Sequence, residues 1–273
     1  MVAALSEERQ LAICGAYLGG FGAARAGALV GASKCAAEGA IRRHGISMRT
    51  AEQASRRYDL DEHFFDSIDT EEKAYWLGFV VADGYITPAG SIKLGLQERD
   101  RSHIEKFRAA LKSDMSIRSY NYGDPYAIME VRSKTMFAAL QRLGVACLKP
   151  KRAVPDVRED LLRHYWRGAF DADGTLTNYP KCSRYKDTIY VYDSWGAQFT
   201  GNLSAVMAFE RFVGENTGLR AHVGSYKDGS NRATYGNKGA SIVASLLYNG
   251  CNYFLDRKKV LAERISLCFS EES

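Results

Sequence analysis

The chain lacks the features that announce a zinc module, a secreted scaffold or a membrane protein. Its six cysteines, at 14, 35, 147, 182, 251 and 268, include no Cys-x-x-Cys and no close Cys/His pairing, so structural zinc is not expected. Single cysteines scattered over 273 residues suit a reducing cytosol instead. No run of about eighteen apolar residues is available to span a bilayer. The first residues lack the basic segment and apolar core of a secretory leader, so a cytoplasmic, intracellular protein is expected. Excess charge of one sign is also scarce. Lys+Arg number 37 against 32 Asp+Glu, and the resulting +5 permits a nucleic-acid partner without demanding one. Residues 1–58 are poor in β-branched side chains and rich in Ala and Gly, which marks them off from the rest.

What the chain does contain is a repeat. Tyr75-Trp76-Leu77-Gly78-Phe79-Val80-Val81-Ala82-Asp83-Gly84 returns as Tyr165-Trp166-Arg167-Gly168-Ala169-Phe170-Asp171-Ala172-Asp173-Gly174. From Tyr75–Thr87 against Tyr165–Thr177, seven of thirteen positions are identical, where about one match is expected by chance. Each copy is an apolar run long enough for two helical turns. Gly in a helix interior costs about 1 kcal/mol relative to Ala, and this cost falls at the same place in both copies, Gly78 and Gly168. That points to close approach of two helix backbones. Gly84 and Gly174 are expected to stop the helices in the left-handed conformation. With the helices side by side, Asp83 and Asp173 arrive together. Two carboxylates so placed repel unless one is protonated or a cation bridges them, and an all-oxygen ligand set suits magnesium. The bland alternative is a pair of helix-ending Asp-Gly turns.

Taken in order, residues 1–58 read as a small all-α domain. Ser6 caps a helix to Leu18, a second helix covers 23–30, and Ser33 caps a third from Lys34 to His44. Helix, glycine turn and helix with Lys34, Arg42 and Arg43 on the last element reads as a helix-turn-helix that binds DNA; a helical hairpin that binds nothing is the alternative. Residues 59–68 form a linker whose Phe64, Phe65 and Ile68 dock on the domain C-terminal to it. Residues 69–155 and 156–273 each read as helix, two strands, helix, two strands, helix, with a further closing helix in the second. The first strand pair of the second unit is placed at 175–178 and 188–199. The class is therefore α+β: two αββαββα units, each with a four-stranded antiparallel sheet covered by helices on one face. The other face carries Lys93, Gln97, Arg118, Tyr120 and Arg132 in the first unit, and Tyr190, Tyr192, Arg220, Tyr226 and Arg232 in the second. Such faces suit strands lying in a major groove, although for one sheet alone an ordinary wet surface explains them.

The paired stretches, Trp76–Gly84 and Trp166–Gly174, resemble the two signature motifs of single-chain LAGLIDADG homing endonucleases, and the resemblance covers about residues 69–273. It implies a magnesium-dependent, site-specific endonuclease that holds double-stranded DNA in a saddle of two sheets. Such an enzyme cuts both strands of a long asymmetric target across the minor groove, leaving 3′ overhangs. It implies that Asp83 and Asp173 hold the divalent ions, with the carbonyls of Ala82 and Ala172 as further ligands, and that a basic residue late in each unit approaches the scissile phosphate. Lys149, with Lys151 close behind, is the candidate in the first unit and Lys258 in the second. Position six differs, Val81 against Asp171, and is not the metal ligand; it makes the halves unequal. Other members of the family assist splicing of their own intron RNA as maturases, or regulate through DNA without cutting it. Retention of both acids favours the nuclease. Met1 and the absence of a His-Asn ending disfavour an enzyme embedded in an intein, which leaves a free-standing or intron-encoded protein. Twofold symmetry inside one chain predicts a monomer without an obligate protein partner.

Overall fold

A computed structural model describes residues 5–270 except 20, 51, 52, 54, 55, 57, 122, 149–151, 187 and 228. The chain divides into two compact units, 1–57 and 58–273. The first contains α1 (Glu7–Leu18), α2 (Ala23–Leu29) and α3 (Lys34–Arg43). Its alanines let these helices meet closely around a small core of Ile13, Tyr17, Ala26, Ala37, Ala40 and Ile41. Gly31, at φ 66°, makes the turn into α3, and Ser33 accepts a capping hydrogen bond from the Ala36 amide at 3.2 Å.

The second unit holds both repeats around one continuous core. The first repeat runs α4 (Glu71–Asp83), β1 (Tyr85–Ile86), β2 (Ser91–Gln97), α5 (Arg101–Ala110), β3 (Arg118–Asn121), β4 (Pro125–Arg132) and α6 (Lys134–Arg142). The second runs α7 (Glu159–Asp173), β5 (Gly174–Tyr185), β6 (Thr188–Gly201), α8 (Leu203–Thr217), β7 (His222–Ser225), β8 (Asn231–Gly236), α9 (Lys238–Tyr248) and α10 (Asp256–Ser270). Each repeat makes a four-stranded antiparallel sheet, ordered β1-β2-β4-β3 and β5-β6-β8-β7. The period-two alternation buries Ile92, Leu94, Ala127, Met129 and Val131 under one sheet, and Leu176, Ala197, Phe199, Ala233 and Tyr235 under the other.

The motif helices α4 and α7 pack against each other at the centre. Their aromatic residues Tyr75, Trp76, Phe79, Tyr165, Trp166 and Phe170 are buried, and full burial of a side chain such as Phe79 contributes roughly 1.5–3 kcal/mol. The mid-helix glycines have the expected cause. A Cβ on Gly78 would run into the Tyr165 carbonyl and sit 2.9 Å from the Ala169 amide, and one on Gly168 would run into the Tyr75 carbonyl and sit 3.0 Å from the Phe79 amide.

Two expectations are corrected. Gly84 (φ −66°, ψ 139°) and Gly174 (φ −90°, ψ 167°) are extended, not left-handed. Glycine is needed there because a Cβ would lie 2.6 Å from the Val80 carbonyl oxygen and 2.5 Å from that of Phe170. The first strand of the second repeat is three times its expected length: β5 pairs with β6 without interruption from Gly174↔Phe199 to Tyr185↔Thr188. The linker, residues 59–68, packs into the second unit through the expected aromatic residues. Phe64 and Phe65 are buried, the Asp61 amide donates to the Leu111 carbonyl at 2.8 Å, and Ser133 donates to the buried Glu62 at 3.1 Å.

Candidate functional site

Asp83 and Asp173 are the last residues of α4 and α7, and both are half-buried. Their helices end at the same place. Asp173, Val81 and Ala82 line one cavity of about 340 Å³, together with Arg152, Asn202 and Ala205. Arg152 senses both carboxylates: burial lowers its pKa, while the charges of Asp173 and Asp83 act to raise it. Two carboxylates from separate helices, beside main-chain carbonyls at both helix ends, form an oxygen donor set of the kind hard divalent cations prefer. Among the described residues no group of three or more His, Cys, Asp or Glu is placed to hold a metal ion by side chains alone, so a metal here would complete its shell with main-chain, phosphate or water oxygens.

Each helix end is closed by a buried cation. Lys258 donates all three Nζ protons to carbonyls, those of Phe170 (2.7 Å), Asp171 (2.8 Å) and Gly174 (2.5 Å). Arg152 donates to the carbonyls of Val80 (3.3 Å), Val81 (2.6 Å) and Gly84 (2.7 Å). These acceptors correspond one to one across the repeat. Helix ends leave carbonyls without intrahelical partners, and a cation there also opposes the negative end of the helix dipole. The two cations take the carbonyls on either side of Ala82 and Ala172. Lys258, the second unit's candidate for a basic residue near the scissile phosphate, is 2 % exposed and turned inward. Burial lowers its pKa to about 8, against the raising influence of Asp171 and Asp173. Lys149 and Lys151 lie outside the described residues; the cation that mirrors Lys258 is Arg152. Arg152 follows Gly84 by 68 residues and Lys258 follows Gly174 by 84, and that mismatch hides the correspondence in the sequence.

Position six also behaves differently from a ligand. Asp171 is buried beneath the helix pair, where it accepts hydrogen bonds from Tyr248 Oη (2.5 Å), Tyr75 Oη (2.8 Å) and the Leu255 amide (2.7 Å). Burial raises its pKa even against Lys258 and these three donors. Since the Tyr75 hydroxyl donates to Asp171, His103 Nε2, 2.9 Å away, donates to Tyr75. Burial drives the His103 pKa down to about 3, with the charges of Lys106 and Lys258 adding to the shift. A second cross-repeat link joins Arg167 to Glu71 at 2.7 Å, with Asn252 bound to the same carboxylate. Burial pushes Glu71 up, but Asn252 and the Arg167 charge outweigh it and hold its pKa below the ordinary value. These links clamp α4 to α7.

The expected interface residues divide between the open faces and the helix layer. Cross-strand register puts Lys93, Gln97, Arg118, Tyr120 and Arg132 on the outward face of the first sheet, in line with Glu130, Tyr126 and Ile128 of β4. Lys93 Nζ lies 5.6 Å from the Tyr85 ring centre, and Arg132 donates to the Ala89 carbonyl at 3.2 Å. In the second sheet Arg232 lies opposite Thr200 and stacks 3.9 Å over the ring of Tyr226, which follows β7. Tyr190 and Tyr192 are exposed on β6 beyond the four-stranded region. Arg220 is the exception. It precedes β7 and pairs with Glu210 of α8 at 3.3 Å, so it faces the helix layer and not the open face. In the first unit Lys34 is exposed and pairs with Glu38 at 3.7 Å. Arg42 is exposed, and Arg43 reaches back to Gln10 of α1 at 3.3 Å.

No family model matches the chain, and no curated protein matches it. Several solved structures do match. The I-LtrWI LAGLIDADG homing endonuclease bound to target DNA is 12% identical, with a TM-score of 0.54 over 77% of this chain and 91% of that one. The meganuclease I-SmaMI bound to uncleavable DNA is 9% identical, with a TM-score of 0.52 over 76% and 92%. The LAGLIDADG meganuclease I-AabMI bound to uncleaved DNA is 11% identical, with a TM-score of 0.50 over 72% and 91%. At such identities the likeness speaks for architecture, and it spans both repeats. With its two motif helices, its paired sheets and its acidic helix ends, the chain has the fold of the LAGLIDADG homing endonucleases.

Proposed function

We propose that this protein is a site-specific endonuclease for double-stranded DNA, cutting both strands of a long asymmetric target across the minor groove to leave 3′ overhangs. The observation that carries the reading is the glycine-packed helix pair whose two members end in Asp83 and Asp173, with the charges of both acting on Arg152 and each helix leading within one residue into the first strand of a sheet. The fold shared with DNA-bound endonucleases supports it. Asp83 and Asp173, with the carbonyls of Ala82 and Ala172, would hold divalent ions, of which magnesium is the expected species. A metal so held supplies an activated water and stabilises the leaving oxygen.

The chain's own residues do the positioning. Gly78 and Gly168 let α4 and α7 approach until the acids lie together. The Asp171 network and the Glu71–Arg167 pair keep the helices in register. Arg152 and Lys258 fix the helix ends and place positive charge beside the acids, where a phosphate backbone must come. Lys93, Gln97, Arg118, Tyr120 and Arg132 on one sheet, and Tyr190, Tyr192, Tyr226 and Arg232 on the other, line the DNA. In the N-terminal unit, Lys34, Arg42 and Arg43 of α3 add phosphate contacts. The internal pseudo-twofold supports a monomer.

The test is incubation of the full chain with a randomised duplex library, with magnesium and with EDTA in its place. Enrichment of one long sequence bearing a double-strand break, lost in EDTA, is expected. Binding of duplex without any cut, or preference for a folded intron RNA, overturns the reading in favour of a regulator or a maturase. Binding itself should weaken steeply with salt, as phosphate contacts release counterions.

A further inference from the structure

The two repeats differ most in their first hairpin. In the first repeat β1 is two residues long, and the chain turns back at Thr87–Gly90 into β2. In the second, β5 and β6 stay paired for twelve residues. Among the described residues only Gly196–Gly201 of β6 also pairs with β8, and Trp195 is still held by Asn237 and buried together with Ser194, so 178–185 and 188–193 form a two-stranded ribbon that extends past the four-stranded sheet. Its outer part, on both strands, is exposed on both faces.

Those two faces have different chemistry. Register places Tyr179, Lys181 and Ser183 of β5 with Tyr190, Tyr192 and Ser194 of β6 on one face. That face continues the open side of the sheet, because Thr175 and Thr177, opposite Gln198 and Gly196, share its parity. Along the arm it consists of Tyr, Lys, Ser and Thr, with no carboxylate. The opposite face carries Pro180, Cys182, Arg184, Ile189, Val191 and the acidic Asp193, so it is mixed and partly apolar. Lys181 Nζ lies 5.4 Å from the Tyr179 ring centre, which spreads cationic charge over the aromatic row.

Resting on the endonuclease reading, we infer that this arm lengthens the DNA contact on one side only, making the half-site bound by the second repeat longer than the other. A two-stranded ribbon fits the major groove, and Tyr, Ser and Lys are donors to phosphate oxygens. At about 3.3 Å per residue the six paired residues of each strand beyond Tyr179 and Ser194 span roughly 20 Å, which at 3.4 Å per base pair is about six pairs. The partner on the tyrosine face is the outer duplex of that half-site, and the length asymmetry is a property of this hairpin alone.

The experiment is hydroxyl-radical footprinting of the full chain, in the binding mode, on the duplex selected from the randomised library. It compares the native protein with Lys181→Ser/Tyr190→Ser/Tyr192→Ser, with a chain in which residues 179–192 are replaced by a four-residue turn, and with Ile189→Ser/Val191→Ser. The native footprint should reach several base pairs further from the cut on one side. The tyrosine-face variant should lose that extension on that side alone and bind about tenfold more weakly, and the shortened chain, if folded, should do the same. The Ile189/Val191 variant should keep the native footprint. Equal protection on both sides, an unchanged footprint in the tyrosine-face variant, or retraction caused by the Ile189/Val191 variant instead, overturns the inference while leaving the nuclease standing. A native chain that protects no duplex overturns both.

Discussion

The two repeats share a plan and differ in what surrounds it. Both motif helices carry Gly at the crossing and end in Asp-Gly, and both ends are closed by a cation that binds three corresponding carbonyls. Around that shared frame, the first repeat has Val81, Arg152 and a short hairpin, while the second has Asp171, Lys258 and the long arm. The invariant parts are those that bring two acids to one place. On the endonuclease reading, the variable parts are those that would touch the rest of a target, so a duplicated unit keeps its paired acids while its substrate need not be symmetric.

The comparison is most easily broken at the crossing. Gly78→Ala and Gly168→Ala each force a methyl into the facing carbonyl, and overpacking of this kind costs about 1–3 kcal/mol, or more where backbone cannot yield. Both should lower the unfolding midpoint by similar amounts in denaturant titrations. A near-neutral result at either glycine would mean that the helices do not approach as described.

Next come the cations. Arg152→Met and Lys258→Met each strip helix-end carbonyls of their partner, at about 1–3 kcal/mol for buried polar groups left unsatisfied. The two losses should be comparable in the same titrations. If one variant is silent, the correspondence across the repeat is only positional.

The same pair should separate by pH. Burial lowers the Lys258 pKa from 10.5 to about 8. As pH falls from about 10.5 to 8 the unfolded chain takes up this proton before the folded one does, so the Lys258 contribution, full above pH 10.5, is lost through that window. Native protein should show this alkaline dependence of stability, and Lys258→Met should lack it. Arg152 has no counterpart there, since guanidinium stays charged.

A smaller effect is expected of His103, whose pKa lies near 3 against an ordinary 6.5. Its neutral form supports the fold above about pH 6.5, and that support drains away as pH falls toward 3. Urea midpoints taken at pH 7 and pH 4.5 should draw closer together in His103→Leu than in native protein.

Much of this was legible in the sequence. The repeat located both acids, and glycine at equal places announced the helix crossing. Period-two alternation placed Lys93, Gln97, Arg118, Tyr120 and Arg132 on one face. What stayed hidden depended on tertiary neighbours. Arg152 looks like one more basic residue after Lys149 and Lys151, and only the folded chain brings it to the carbonyls of α4. Asp171 looks like an idle variant of Val81 until Tyr75 and Tyr248 converge on it. The arm is hard to see because exposed strands need not alternate: both its faces are wet, so no apolar periodicity marks residues 179–185. Gly84 and Gly174 announced helix ends correctly, for a steric reason other than a left-handed turn.

The central claim is that Asp83 and Asp173 together make the reaction centre. The direct test labels each strand of the selected duplex separately and follows cutting in magnesium by native protein, Asp83→Asn and Asp173→Asn. Loss of a metal-binding carboxylate removes several kcal/mol of transition-state stabilisation, at tenfold in rate per 1.36 kcal/mol. The account predicts that native protein cuts both strands, and that each variant binds the duplex but makes the double-strand break slower by roughly a hundredfold or more. A double-strand break at the native rate by either variant would contradict it.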